Sequence, residues 1–150
     1  MGRGRADGAA GDVCSRRGAA QTTREMIHLD TSFLIRALVS GSAEDHRLRA
    51  WLAEGTRVGI SAVCWAEFLC GPVQTGNLEL AARIVPDPTP FTAVDAASTV
   101  SLFNVGGRRR RSFVDCMIAA IALRAGASLA TANAADFRRF EPAGLKIVVT

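Results

Sequence analysis

Apolar residues along the chain gather into short runs that differ in their spacing. Four runs are brief and almost continuously apolar, which is typical of buried strands. They are MIHLD (26–30), RVGIS (57–61), ASLAT (127–131) and LKIVV (145–149). We therefore predict four strands, and the first of them ends at a carboxylate.

Between these runs the apolar residues return every three or four positions, as they do on one face of a helix. The first such segment, residues 31–39, would bury four side chains: Phe33, Leu34, Ala37 and Leu38. Further helices are predicted over residues 44–54, 62–70, 77–85, 95–103 and 113–125, with Asp95 as a cap. Breaker residues separate them: Gly71-Pro72, the PDPTP cluster (86–90) and Gly126.

Alternation of strand and helix predicts an α/β fold, a three-layer α/β/α sandwich around a central, mainly parallel sheet. Residues 26–150 suffice for one domain with one core. Residues 1–25 hold five Gly, five Ala and five Arg but almost no large apolar residue. We expect them to be a disordered leader or a misassigned start, with Met26 as the functional beginning.

Composition places the chain among globular proteins, with 49% apolar and 21% charged residues. No apolar run approaches the roughly 20 residues that span a bilayer, so no membrane association is expected. The net charge is +4, and Lys146 is the only lysine. Arginine matches phosphate geometry and favours a polyanionic partner, although a GC-rich genome would produce the same bias.

Cysteine and histidine usage disfavours a zinc site. The four cysteines form no CxxC pair: Cys14, Cys64, Cys70 and Cys116. Without a secretory signal, they are predicted to be reduced thiols in a cytoplasmic protein, with Cys64 and Cys116 packed in the core. His28 lies between apolar strand residues and is predicted to be packed, whereas His46 is predicted to be exposed.

Four acids fall where a parallel sheet would bring them together. Asp30 ends the first strand, Glu67 lies in the helix after the second, and Asp115 opens the apolar helix. Asp136 follows the third strand. Because ligands bind beyond the carboxyl ends of parallel strands, these carboxylates predict one site. Their repulsion is best offset by a hard cation with oxygen ligands, Mg²⁺ or Mn²⁺.

Structural roles are the alternative for each acid. Ser112 and Asp115 fit a capping box, and Asp30 fits a helix N-cap. Asp136 fits a loop carboxylate, but Glu67 lies in a helix that should be buried on most sides, where an acid needs a partner. The other helical acids are predicted on polar faces: Glu44, Asp45, Glu54 and Glu79.

Four consecutive arginines, Arg108–Arg111, precede the helix of Asp115. The helix dipole alone makes positive charge unfavourable at a helix N-terminus. The run is therefore predicted either to offset the carboxylates and bind phosphates of a polyanionic partner, or to be a solvated loop.

Four stretches in this order resemble the PIN domain, and more narrowly the VapC-type toxins of type II toxin–antitoxin systems. They are MIHLDTSFLI, AEFLCG, VDCMIAAIALRAGASLAT and TANAADF, within residues 26 to 149. The resemblance implies a metal-dependent endoribonuclease, an antitoxin partner that inserts an arginine into the acidic pocket, and a homodimer. The leader is a departure from the family pattern.

By resemblance, the four acids occupy the catalytic and metal-binding positions: Asp30, Glu67, Asp115 and Asp136. Ser32 and Thr131 occupy polar positions beside them, and Asn133 is a third supporting residue. A metal-activated water would then hydrolyse RNA, leaving a 5′-phosphate and a 3′-hydroxyl.

Other functions remain open from the sequence. A non-catalytic RNA-binding or adaptor module on this fold would be expected to lose acids, and all four are present. A DNA-directed nuclease is a further alternative. An aspartate phosphatase is disfavoured because Ser32 stands where the second Asp of D-x-D is needed, and a dinucleotide enzyme because no G-x-G-x-x-G follows the first strand.

Overall fold

Four parallel strands form one sheet in the computed structural model, which describes residues 25–150. They are β1 (Met26–Leu29), β2 (Arg57–Ile60), β3 (Ala127–Ala130) and β4 (Ile147–Val148). Their order is β2-β1-β3-β4, and every neighbouring pair is parallel. Apart from Glu25, the predicted leader lies outside the described residues.

Seven α-helices flank the sheet within these residues. They are α1 (Thr31–Ala37), α2 (Ala43–Ala53), α3 (Ala62–Cys70), α4 (Thr75–Ile84), α5 (Ala93–Val105), α6 (Phe113–Arg124) and α7 (Ala134–Phe137). Two 3₁₀ segments, Arg110–Ser112 and Arg138–Ala143, precede α6 and follow α7. The predicted α/β/α class is confirmed, and α7 was not predicted. None of the helices in the described part of the chain has the length and apolarity to cross a bilayer.

The core lies on the sheet because most strand residues are apolar and buried. Leu29, Ile60 and Leu129, one from each of three strands, are fully buried. Helices α1 and α2 pack against each other through Phe33 and Trp51, whose rings stack with centroids 5.5 Å apart. The long apolar run of α6 buries six residues: Cys116, Ile118, Ala119, Ala120, Ile121 and Ala122.

The start of α5 differs from the prediction, because Thr92 and not Asp95 is the N-cap. Asp95 completes a capping box by accepting from the Thr92 backbone N–H at 2.7 Å. It is fully buried and also accepts from Arg124 Nε at 2.7 Å. Burial would raise the pKa of Asp95, but the hydrogen bonds from Arg124 and Thr92 outweigh it and lower the pKa. The ion pair therefore fastens α5 to α6.

The first turn of α2 also differs, since Glu44 and Asp45 are buried and not on a polar face. Asp45 accepts from the Gly41 backbone N–H at 2.9 Å and from Arg49 Nε at 2.6 Å. Glu44 accepts from the hydroxyl of Thr150, at 3.3 Å. Helical periodicity could not predict this burial, because the preceding loop and the distant C-terminus provide the cover.

His28 is packed in β1, one of the two inner strands, as predicted. Its Nε2 lies 3.3 Å from Thr89 Oγ1. A Cβ on Gly59 would lie 3.3 Å from His28 Cδ2, so the glycine leaves room for the ring. Burial, aided by the charge of Arg124, lowers the pKa of His28 from 6.5 to about 4.

We predict that this imidazole makes stability fall with acidity. The depressed pKa means that its contribution is present above pH 6.5 and is lost as pH falls towards 4. Between pH 7 and 4.5 the loss should be about 2 to 3 kcal/mol, measured by urea unfolding. His28→Gln should lack this part of the pH dependence, whereas His46→Gln, at an exposed position, should retain it. Identical pH profiles for the two variants would contradict the assignment.

Candidate active site

One cleft beyond the carboxyl ends of the strands collects the four predicted acids. Asp30 follows β1, Glu67 lies in α3, Asp115 in the first turn of α6 and Asp136 in α7. Six further residues line the cleft: Thr31, Ser32, Ile35, Ile118, Asn133 and Phe137. Residues separated by most of the chain thus meet because parallel strands end at one edge.

Asp30 is the best-anchored of these acids. It occupies the N-cap position of α1, but its carboxylate makes no capping hydrogen bond. Its Oδ2 accepts from Ser32 Oγ at 2.6 Å and from Thr131 Oγ1 at 2.8 Å. Capping of α1 therefore does not explain where the Asp30 carboxylate lies. The hydrogen bonds from the Ser32 and Thr131 hydroxyls do.

Both hydroxyls are themselves held by backbone donors. Ser32 Oγ accepts from the Ala132 N–H at 3.1 Å, and Thr131 Oγ1 accepts from the Asn133 N–H at 3.0 Å. The turn after β1 is thereby joined to the turn after β3. Asn133 contributes its backbone to this network, and the residue lines the cleft.

Cys64 contacts Asp30 and is fully buried. Its Sγ lies 3.8 Å from Asp30 Oδ1. Burial, with the adjacent charge of Asp30, raises the pKa of Cys64 to about 12, so the group remains a thiol that donates to the carboxylate. One oxygen each of Asp30 and Glu67 and this Sγ lie within 4.8 Å of one another. A cation between the two acids would therefore meet oxygen ligands, since a protonated thiol is a poor ligand.

Glu67 is exposed, so the expectation of a helix buried on most sides was wrong. Only Cys64 and Phe68 of α3 are buried, and the side of the helix that carries Glu67 faces the open cleft. Thr31 Oγ1 donates to Glu67 Oε2 at 2.9 Å. Sequence reasoning missed Thr31 as a supporting residue, although its position directly after Asp30 was a signal for it.

Asp115 lies in the first turn of α6, but the capping-box alternative is wrong. Ser112 Oγ donates to the Arg109 carbonyl at 2.7 Å and makes no cap. Instead, Asp115 Oδ2 accepts from Arg139 Nη2 at 3.0 Å. The sequence-based predictions did not include Arg139, because nothing in the local pattern distinguishes it from Arg138 beside it.

The charges around Asp115 are incompletely balanced. Burial raises the pKa of Asp115, Arg139 opposes the rise, and the like charges of Asp136 and Asp30 add to it. Asp136 is exposed on α7. The net upward direction means that the charge of Arg139 does not cancel the combined effect of burial and of the two like charges on the pKa of Asp115.

The arginine run lies directly before α6, with Arg108 and Arg109 in a loop and Arg110 and Arg111 in the 3₁₀ segment. All four residues of Arg108–Arg111 are exposed, and Arg108 adopts a positive φ of 53° while its Nε donates to Asn104 Oδ1 at 2.9 Å. Within residues 25–150, none of the four forms an ion pair with an acid. A Cβ on Gly106 would lie 3.9 Å from Arg139 Cδ, so the loop begins beside the cleft.

Comparison with known families gives one match by sequence. A profile of the PIN domain matches residues 27–141, most of the chain. No curated protein matches the sequence.

Several solved structures share the fold. VapBC2 from Rickettsia felis bound to a DNA fragment from their promoter aligns with a TM-score of 0.65 and 18% identity, covering 83% of this chain and 98% of that one. DNA-bound VapBC from Salmonella typhimurium gives 0.63 and 20%, with coverage of 83% and 98%. A toxin–antitoxin complex from Klebsiella pneumoniae gives 0.56 and 24%, with coverage of 75% and 90%. At these identities the likeness is one of fold.

We predict that Thr131→Val destabilises the protein by about 1 to 3 kcal/mol, because Asp30 loses a buried donor. Thr131 is buried, and valine keeps its shape. Urea unfolding in a chelating buffer measures the change. Thr131→Ser should recover part of the loss, and Thr75→Val, at an exposed position, should stay within about 0.5 kcal/mol of wild type. Equal effects at positions 131 and 75 would contradict the prediction.

Proposed function

The chain belongs to the PIN domain family, and from this membership we propose that it is a metal-dependent endoribonuclease, the toxin of a toxin–antitoxin pair. The observation that carries the proposal is the convergence of four carboxylates on one cleft, where Asp136 and Asp30 place like charges near Asp115. A structural role would favour acids that are individually paired, as Asp95 is with Arg124.

Asp30, Glu67 and Asp115 would hold Mg²⁺ or Mn²⁺, with Asp136 completing the site. Their oxygens are the ligand type that these ions prefer. The bound ion would lower the pKa of a water and offset charge on the scissile phosphate. Ser32 and Thr131 hold Asp30, and Thr31 holds Glu67, so the side chains are supported before any ligand arrives.

Arg108–Arg111 would bind the RNA backbone. The run is exposed and lies on the loop that begins beside Arg139, so phosphates in the cleft would pass close to it. Since none of the four forms an ion pair with an acid in the described chain, the guanidinium groups are available, although Arg108 also donates to Asn104. Such contacts supply affinity without reading sequence.

A small antitoxin would be the protein partner, inserting an arginine among the same acids, and the toxin would form a homodimer in the cytoplasm. An arginine fork satisfies carboxylates as a metal ion does, so the acidic cleft suits either occupant. The similar structures support this part of the proposal, since one of them is a toxin–antitoxin complex.

We predict that the full-length protein, free of antitoxin, cleaves structured RNA only with Mg²⁺ or Mn²⁺. Asp30→Asn and Asp115→Asn should each reduce the rate by roughly a thousandfold or more, since each removes a charged ligand. Gel assays on a panel of transfer, ribosomal and messenger RNA measure cleavage. Glu79→Gln, an exposed acid of α4, should retain wild-type activity.

Three outcomes would contradict this proposal in different ways. Cleavage without metal would exclude the metal-dependent mechanism. RNA binding without cleavage, unaffected by metal, would favour a non-catalytic RNA-binding module. Cleavage of DNA in preference to RNA would favour a DNA-directed nuclease.

A further prediction concerns the arginine run. In an Asp30→Asn background, which prevents cleavage, Arg109→Gln with Arg110→Gln should reduce the slope of log K against log [salt] by about 1.4 for single-stranded RNA. The matched pair Arg57→Gln with Arg83→Gln removes the same charge at exposed positions outside the cleft and should change the slope little. Equal slopes for the two double variants would assign the run to a solvated loop.

A further inference from the structure

Arg139 is held in place by more than its ion pair. Its guanidinium carbon lies 4.6 Å from the centroid of the Phe140 ring, and Phe140 is buried. Its Nη2 donates to Asp115 Oδ2 at 3.0 Å. The Arg139 side chain is 23% exposed, whereas the neighbouring Arg138 is exposed. Two contacts in different directions therefore define where this guanidinium lies.

The Nε of Arg139 is buried without a hydrogen-bond partner in the described part of the chain. An unsatisfied buried donor is unfavourable, so the side chain does not lie there to maximise its own hydrogen bonds. Stacking on Phe140 and the bond to Asp115 outweigh that cost. An ion pair at an exposed surface position would not leave a donor buried and unsatisfied in this way.

We propose that Arg139 is a positioning residue for the metal site, which holds Asp115 through Oδ2 and leaves Oδ1 to a divalent cation. Among residues 25–150, no hydrogen-bond donor contacts Oδ1 of Asp115. The inference rests on the proposed function, because it assumes that Asp115 binds metal. It adds a residue that the four-acid site does not contain.

Charge and positioning make opposite predictions for Arg139. If the positive charge of Arg139 only repels the metal ion, removing that charge should strengthen metal binding. If it positions Asp115, removing it should weaken metal binding, because the like charges of Asp136 and Asp30 then repel an unheld carboxylate. Loss of a group that orients a metal ligand typically weakens affinity by about 10- to 100-fold.

The test is Mn²⁺ titration by calorimetry on the full-length protein without RNA. Arg139→Met should raise the Mn²⁺ dissociation constant by about 10- to 100-fold. Arg138→Met removes the same charge from the adjacent exposed position and should change it by less than about twofold. Arg139→Lys keeps a charged donor but loses the planar stack, so its affinity should lie between those of Arg139→Met and wild type.

Unchanged or tighter Mn²⁺ binding by Arg139→Met would overturn the inference, as would an equal loss in Arg138→Met. Circular dichroism verifies that each variant is folded. If Arg139→Met does not fold, Arg139→Lys decides: weaker binding than wild type supports the inference, and equal or tighter binding overturns it.

The proposed nuclease and this inference fail separately. Wild type that binds Mn²⁺ but cleaves no RNA would refute the nuclease and leave the positioning role intact. Wild type that cleaves RNA, with undiminished Mn²⁺ affinity in Arg139→Met, would refute only the positioning role. Wild type that binds no Mn²⁺ would refute both.

Discussion

The two hydroxyl hydrogen bonds to Asp30 are the interaction on which the cleft depends. Thr131 and Asp30 are 101 positions apart, and their bond of 2.8 Å joins the ends of β1 and β3. Ser32 makes a second link between the same two turns, because its hydroxyl donates to Asp30 and accepts from the Ala132 N–H. Because strands β1 and β3 are adjacent and parallel, both turns emerge at the same edge and the acids of α3, α6 and α7 assemble around them.

Asp95 and Asp115 each pair with an arginine, but the two acids differ in burial and in charge compensation. Asp95 is fully buried, paired with Arg124 and bonded to Thr92, and its pKa is lowered. Asp115 also has an arginine, yet its pKa is raised by burial and by neighbouring carboxylates. Within the fold, hydrogen bonds from Arg124 and Thr92 outweigh the burial of Asp95, whereas Arg139 does not outweigh burial and like charge at Asp115. In the proposed function, this difference separates an acid that stabilises the fold from one that is available to a cation.

Positive charge near the cleft is likewise of two kinds. Arg139 is stacked, partly buried and bonded to Asp115, whereas the Arg108–Arg111 run is exposed and bears no ion pair with an acid in the described chain. A fixed cation can orient a carboxylate, because its own position is determined by packing. Exposed arginines are suited to a mobile polyanion, since each can adjust to a phosphate.

The sequence by itself determined the class of fold, the strands, six of the helices to within two residues at each end, and the edge where the acids meet. These follow from local periodicity and chain order, which are readable without tertiary contacts. Tertiary structure alone decided that Glu67 is exposed, that Glu44 is covered by Thr150 and that Asp115 pairs with Arg139 and not with a cap. The physical reason is that burial and pairing depend on neighbours brought from 24 to 106 positions away, about which local pattern carries no information.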